Sequence, residues 1–182
     1  RLTLVKQVVN ANGGTAVPTA WQLTATSAAS AITGQTGSAA VTNAVVPVGV
    51  YTLSEAGPTG YTASAWSCTG ATVSGSTVTI TAGSNVTCTI VNTDQPARLT
   101  LVKMVDNGTT GATFAPSAWT LTASGTATVT GAGNSPAVTN QSVPAGSYSL
   151  SESGPEGYTA SAWTCTGGAL TGTSVVVPHG GN

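Results

Sequence analysis

The hexapeptide Arg-Leu-Thr-Leu-Val-Lys stands at residues 1–6 and again at 98–103, and the residues after each copy keep register. Tyr51 matches Tyr148, Tyr61 matches Tyr158, Trp66 matches Trp163 and Cys68 matches Cys165, each pair 97 residues apart. Trp21 and Trp119 are 98 apart, so one residue has been gained between strands. Self-similarity at a fixed period constrains a fold more than composition does, because whatever the first copy forms the second must form too. The chain therefore reads as two domains, 1–97 and 98–182, each of ordinary size. Asn182 corresponds to Asn85, so no residue matches 86–97. The second domain is expected to lack its last strand, the chain being one segment of a longer tandem array.

Within each copy the pattern is β. Leu2–Val8, Trp21–Ala25, Tyr51–Glu55, Val78–Thr81 and Val86–Ile90 alternate with period two and are rich in Val, Ile and Thr, the signature of half-buried strands. Gly and Pro punctuate them at Asn12-Gly13-Gly14, Pro47-Val48-Gly49, Gly57-Pro58-Thr59-Gly60 and Ser74-Gly75-Ser76. The Ala/Ser run at 25–31 has no apolar stripe at helical spacing and reads as strand edge and loop. About seven short strands in under 100 residues predict an all-β, Ig-like sandwich in each repeat. Its core is thin, built of Val, Leu, Ala and one or two Trp, and domains of this kind often need covalent staples.

Charge is scarce: 5% of residues, with a net charge of −1, against roughly a quarter in ordinary globular proteins. That excludes a basic face for nucleic acid and a polybasic membrane patch, and no apolar run suffices for a membrane helix. A neutral surface rich in hydroxyls suggests secretion. Against that background the chain keeps only two lysines, Lys6 and Lys103, and repeats Glu55 as Glu152 in a Tyr-(Thr/Ser)-Leu-Ser-Glu run. Ion pairs for solubility would be scattered; these are in register and point to chemistry inside the fold.

Val46-Pro47-Val48-Gly49-Val50-Tyr51-Thr52-Leu53-Ser54-Glu55-Ala56-Gly57-Pro58-Thr59-Gly60-Tyr61, repeated from Val143 to Tyr158, resembles the signature of CnaB/SpaA-type, prealbumin-like bacterial surface domains. The first strand with Lys6 and the last with Asn92 complete the pattern. The resemblance implies an intramolecular isopeptide bond in which Lys6 is the nucleophile, Asn92 supplies the carboxamide carbon and Glu55 shuttles protons. Lys103 and Glu152 would need an Asn in a continuation of the chain or in another subunit, or would stay unreacted. An ordinary buried ion pair with Asn92 capping a turn is the plainer alternative.

Cys68 and Cys88 both lie in strand-like runs, and metal sites need more Cys or His than this. They are expected to form a disulfide, which places the protein in an oxidising, extracellular compartment. Cys165 would pair with an absent equivalent of Cys88 or across subunits.

These readings favour a structural stalk or filament segment on a bacterial surface, whose partners are further copies of the repeat, with no cofactor, no metal and no membrane insertion. A secreted adhesin or carbohydrate-binding module is the alternative. It would use Trp21, Trp66, Trp119 and Trp163 as stacking platforms and the divergent loops 26–45 and 123–140 for specificity. Thr77-Val78-Thr79-Ile80-Thr81 reads as the solvent face of a strand rather than an ice-binding row. An enzyme acting on other molecules is disfavoured, since the single histidine, His179, has no Cys, Asp or Glu nearby in sequence. The sequons at Asn85, Asn107 and Asn140 matter only in a host that reads them.

Overall fold

The computed structural model describes residues 1–109 and 111–180. Two compact units divide the chain, the first comprising Arg1–Ala11 and Thr15–Asp94, the second made chiefly of the chain from Gln95 onward. Ala97 is fully buried in the second unit's core, so the structural division falls slightly ahead of the sequence repeat.

The first unit contains β1 (Leu2–Val9), β2 (Gln22–Thr26), β3 (Ala31–Gly34), β4 (Gly49–Ala56), β5 (Tyr61–Ala63), β6 (Ser67–Thr69), β7 (Val73–Ser74), β8 (Thr77–Ile80) and β9 (Val86–Asp94). One sheet is antiparallel, in the order β3-β2-β4-β8-β7. The other is organised around β9. On one side β9 pairs in parallel with β1 over eight residues, from Leu2 opposite Val86 to Val9 opposite Thr93. On the other it pairs antiparallel with β5 and β6.

Alternation sets which side chains enter the core. Leu2 and Leu4 of β1 and Val86, Cys88 and Ile90 of β9 pack with Leu23, Ala25, Tyr51, Leu53, Val78 and Ile80 of the antiparallel sheet. The Tyr51 hydroxyl donates to the Pro47 carbonyl at 3.0 Å, so its buried polar end is satisfied. Among the described residues the only helical elements are short 3-10 turns, at Pro18–Ala20, Pro116–Ala118 and Pro136–Val138. Trp21, expected in a strand, instead closes the first of these turns. The Ala/Ser run divides as β2, a turn at 27–30 tied by the Ser27 hydroxyl, and β3.

The second unit contains β10 (Ala97–Leu99), β11 (Thr120–Ser124), β12 (Thr128–Ala132), β13 (Gln141–Val143), β14 (Gly146–Ser153), β15 (Ala169–Thr171) and β16 (Ser174–Val177). Its antiparallel sheet, β12-β11-β14-β16-β15, reproduces that of the first unit. Its second sheet does not: the ladder is reduced to β10 with β13. Residues 100–107 and 158–165 belong to no strand, although their counterparts form most of β1 and all of β5 and much of β6. The reason is topological. All three of those strands pair with β9, and no residue of the second unit matches β9.

Candidate functional site

In β1 the inward set is Leu2, Leu4 and Lys6; in β4 it is Tyr51, Leu53 and Glu55. Two strands from opposite sheets thus carry a cation and an anion into the same end of the core. Lys6 Nζ donates to Glu55 Oε2 at 2.5 Å, and the two side chains are 0% and 13% exposed. Lys6 Nζ also lies 4.8 Å from the centroid of the Trp21 ring, a cation–π distance. Burial pushes the Lys6 ammonium below its ordinary value of 10.5, while the hydrogen bond and the charge of Glu55 pull the other way. Desolvation outweighs them, which moves the group toward the neutral, nucleophilic form.

Asn92 completes the set. In β9 the residues Val86, Cys88, Ile90, Asn92 and Asp94 all face inward. Lys6 stands opposite Ile90, so Asn92 lies two residues further along the same face of the neighbouring strand. That diagonal separation is within reach of a long side chain. Asn92 is 3% exposed, and its Oδ1 is buried without a hydrogen-bond partner. Such an orphan costs about 1–3 kcal/mol.

The aromatic cover is built to fit. Trp21 is 2% exposed and meets Tyr61 edge-on, with centroids 5.1 Å apart. A Cβ at Gly57 would fall 2.4 Å from Trp21 Cδ1, so the Gly-Pro turn after β4 needs glycine to let the indole lie over Lys6. The Tyr61 hydroxyl donates to Asn10 Oδ1 at 2.7 Å and accepts from the Ala16 amide at 3.0 Å, tying down the loop after β1. Asp94, also buried, accepts from the Ala11 amide at 2.8 Å.

The second unit repeats the pair in a more open setting. Lys103 Nζ donates to Glu152 Oε1 at 2.9 Å and Oε2 at 2.7 Å, with side-chain exposures of 15% and 19%. Lys103 Nζ lies 4.9 Å from the Trp119 ring, which meets Tyr158 edge-on at 4.9 Å. Phe114, with no aromatic counterpart in the first repeat, adds edge contacts to both rings. The Asn134 side chain clamps the Lys103 backbone, accepting from its amide at 2.9 Å and donating to its carbonyl at 3.0 Å. The Lys103–Glu152 pair opens on a cavity of about 390 Å³.

Cys68 and Cys88, directly opposite each other on β6 and β9, form the expected disulfide. Cys165 is exposed and free. Trp21, Trp66 and Trp119 are buried and Trp163 is half-buried against the second core. None of the first three presents a ring face to solvent for a sugar.

Sequence reasoning picks out Lys6, Glu55 and Asn92, and the structure gathers them at one end of the first core. It misses Trp21 as the cover of the pair, the Tyr61 and Asp94 anchors, and the Asn134 clamp. Asp94 is discoverable, since it continues the in-phase series Val86, Cys88, Ile90, Asn92. Trp21 is not, because it enters from a turn rather than from a strand face.

Two tandem β-domains, each carrying a lysine–glutamate pair under a tryptophan, define the class. Residues 1–90 and 94–182 each match the SpaA_2 prealbumin-like fold domain, and the chain belongs to that family. Domains of this type are typical of bacterial surface proteins. No match was found among curated proteins or among solved structures.

Proposed function

We propose that the chain is a tension-carrying segment of an extracellular bacterial stalk or filament, its first domain closed by an amide between Lys6 and Asn92. The observation that supports this most is the placement of a fully buried lysine and a buried carboxamide whose oxygen has no partner on the inward faces of adjacent parallel strands, two residues apart in register.

The geometry supports one course for the reaction. Glu55 takes a proton from the Lys6 ammonium, freeing the Nζ lone pair. Nζ attacks Cγ of Asn92, and the Asn92 oxygen takes up the developing negative charge. The proton held by Glu55 passes to the departing nitrogen, the C–N bond breaks and ammonia leaves, and Glu55 takes the second proton from the attacking Nζ, so that one amide bond replaces another. Burial favours neutral lysine, Glu55 lies within hydrogen-bond reach to carry protons, and the fold supplies the effective molarity. One event occurs per domain, so the reaction is maturation and not turnover.

The consequence is mechanical. β1 and β9 are parallel neighbours, so pulling Arg1 against Asp94 shears their ladder, loading its hydrogen bonds together. A bond between Lys6 and Asn92 carries the force across that ladder, and the sandwich between them is bypassed. Single-molecule pulling of the 182-residue chain tests this. With the Cys68–Cys88 disulfide reduced in both chains, the cross-link withholds the roughly 86 residues between its ends, on the order of 300 Å of contour, and a Lys6→Ala chain releases that length. Equal contour lengths from the two chains would rule out the covalent path.

A further inference from the structure

The outward face of each antiparallel sheet has a composition that the fold does not require. Among the described residues it carries no Asp, Glu, Lys or Arg in either unit. One row crosses all five strands of the first unit, Ala31–Thr26–Thr52–Thr77–Ser74. The second unit repeats it position for position as Thr128–Ser124–Ser149–Ser174–Thr171, so that every residue of the two rows except Ala31 bears a hydroxyl. In β14, Ser147, Ser149, Ser151 and Ser153 all turn outward, although serine is not among the residues that strands favour. Beside the row, the outward pair Val50–Thr79 of the first unit becomes Ser147–Val176 in the second. The valine changes strand, yet each face keeps one exposed valine beside one hydroxyl, Val50 at 59% and Val176 at 48% exposure. Neither core uses these side chains, so packing within the fold does not account for the exchange. Soluble surfaces ordinarily carry interspersed charge that keeps molecules apart; these faces do without it.

We propose that this face is the surface on which chains associate side by side, and that its partner is the same face on a second copy. Each hydroxyl both donates and accepts, so the rows match themselves about a two-fold axis with no charge to desolvate. The short side chains let two faces approach closely, and Val50 and Val176 add apolar contact at fixed points on them. At a strand spacing of about 4.8 Å and a rise of about 3.3 Å per residue, each face covers about 400 Å². The two faces of one chain total about 800 Å², what each partner gives to a standard interface. One face gives half of that and holds weakly, so adhesion grows with the number of repeats that engage. Among the described residues neither face carries an aromatic ring on which a sugar could stack, which favours a second copy over a glycan. The antiparallel sheet is separate from the β1–β9 ladder, so lateral contact leaves that ladder untouched. The contact needs no reaction at Lys6 and so stands or falls separately from the Lys6–Asn92 amide.

Sedimentation equilibrium of the 182-residue chain reads this, with Cys165→Ser throughout to prevent thiol coupling. Between about 10 μM and about 1 mM, the range of weak contacts, the chain is expected to form reversible dimers and larger species. Thr52→Lys with Ser149→Lys sets a like charge at the centre of each face. It should weaken association roughly tenfold or more and leave the circular dichroism melt unchanged. Thr59→Lys with Ser117→Lys, both exposed and outside the sheets, adds the same charge and should change association little. Parent association should hold as ionic strength rises, whereas the Thr52→Lys, Ser149→Lys chain should recover part of its loss. A monomer throughout the range, equal weakening by both lysine pairs, or association that survives Thr52→Lys with Ser149→Lys would overturn the proposal. Parent association lost at high salt would assign it to charged groups elsewhere and overturn it equally.

Discussion

Replacing Lys6 by Met removes the nucleophile but keeps an unbranched apolar side chain of similar length in a fully buried position. In the cross-linked parent Lys6 is an amide, so Glu55 lacks a cationic partner in the parent and in the variant alike, and that cost cancels between them. What remains is the lost closure between residues 6 and 92, worth about 4.5 kcal/mol on the chain-entropy expression derived for disulfides. At about 4–8 °C per kcal/mol for a domain under 100 residues, the first unit's melting temperature should fall by roughly 20–35 °C. Thermal unfolding monitored by circular dichroism, with the Cys68–Cys88 disulfide kept oxidised in both proteins, reads this directly. Lys103→Met is the internal control. No residue here matches Asn92 for that lysine, so its shift should be a small fraction of the other. A Lys6→Met transition within a few degrees of the parent, or equal shifts for the two variants, would refute the cross-link as the source of stability.

The same contacts set other outcomes. Gly57→Ala should cost about 1–3 kcal/mol by overpacking, because the new methyl meets Trp21 at 2.4 Å; chemical denaturation measures it. Cys68→Ser should cost about 3 kcal/mol through loss of a 20-residue closure, a difference from the parent that vanishes under reducing conditions. Asn92→Ala leaves Lys6 free, and its pH dependence has a definite sign. The Lys6 value is lowered in the folded state by burial, so between that value and 10.5 the unfolded chain binds more protons. Stability of this variant should therefore rise with pH through that window, as checked by denaturant midpoints at increasing pH.

Much of the site is legible in the sequence because strands of period two reveal their inward face. Leu2, Leu4 and Lys6 fall in one phase, as do Tyr51, Leu53 and Glu55, and a lysine or glutamate in phase with core residues is conspicuous in a chain with so little charge. The Cys68–Cys88 pair is legible from cysteine count, because one repeat holds two cysteines and too few Cys or His for a metal site. The short strands β3, β5, β6 and β7 are not. Their Ser, Thr, Ala and Gly residues carry weak alternation, and they exist by pairing with β2, β8 or β9. The second unit makes the point physically. Tyr158, Thr159 and Ala160 closely repeat the Tyr61–Ala63 sequence, yet they form no strand where a β9 is lacking. Pairing, not local propensity, decides these elements. The β1–β9 register, which sets Asn92 diagonally from Lys6, likewise comes from tertiary structure.

The central claim is a covalent bond, and mass reads it most directly. The 182-residue chain, fully reduced and weighed intact beside Lys6→Ala and Asn92→Ala chains, should be lighter than its sequence by one ammonia, with no deficit in either variant. A parent chain at its full sequence mass would contradict the Lys6–Asn92 amide. It would leave the Cys68–Cys88 disulfide as the first unit's single staple.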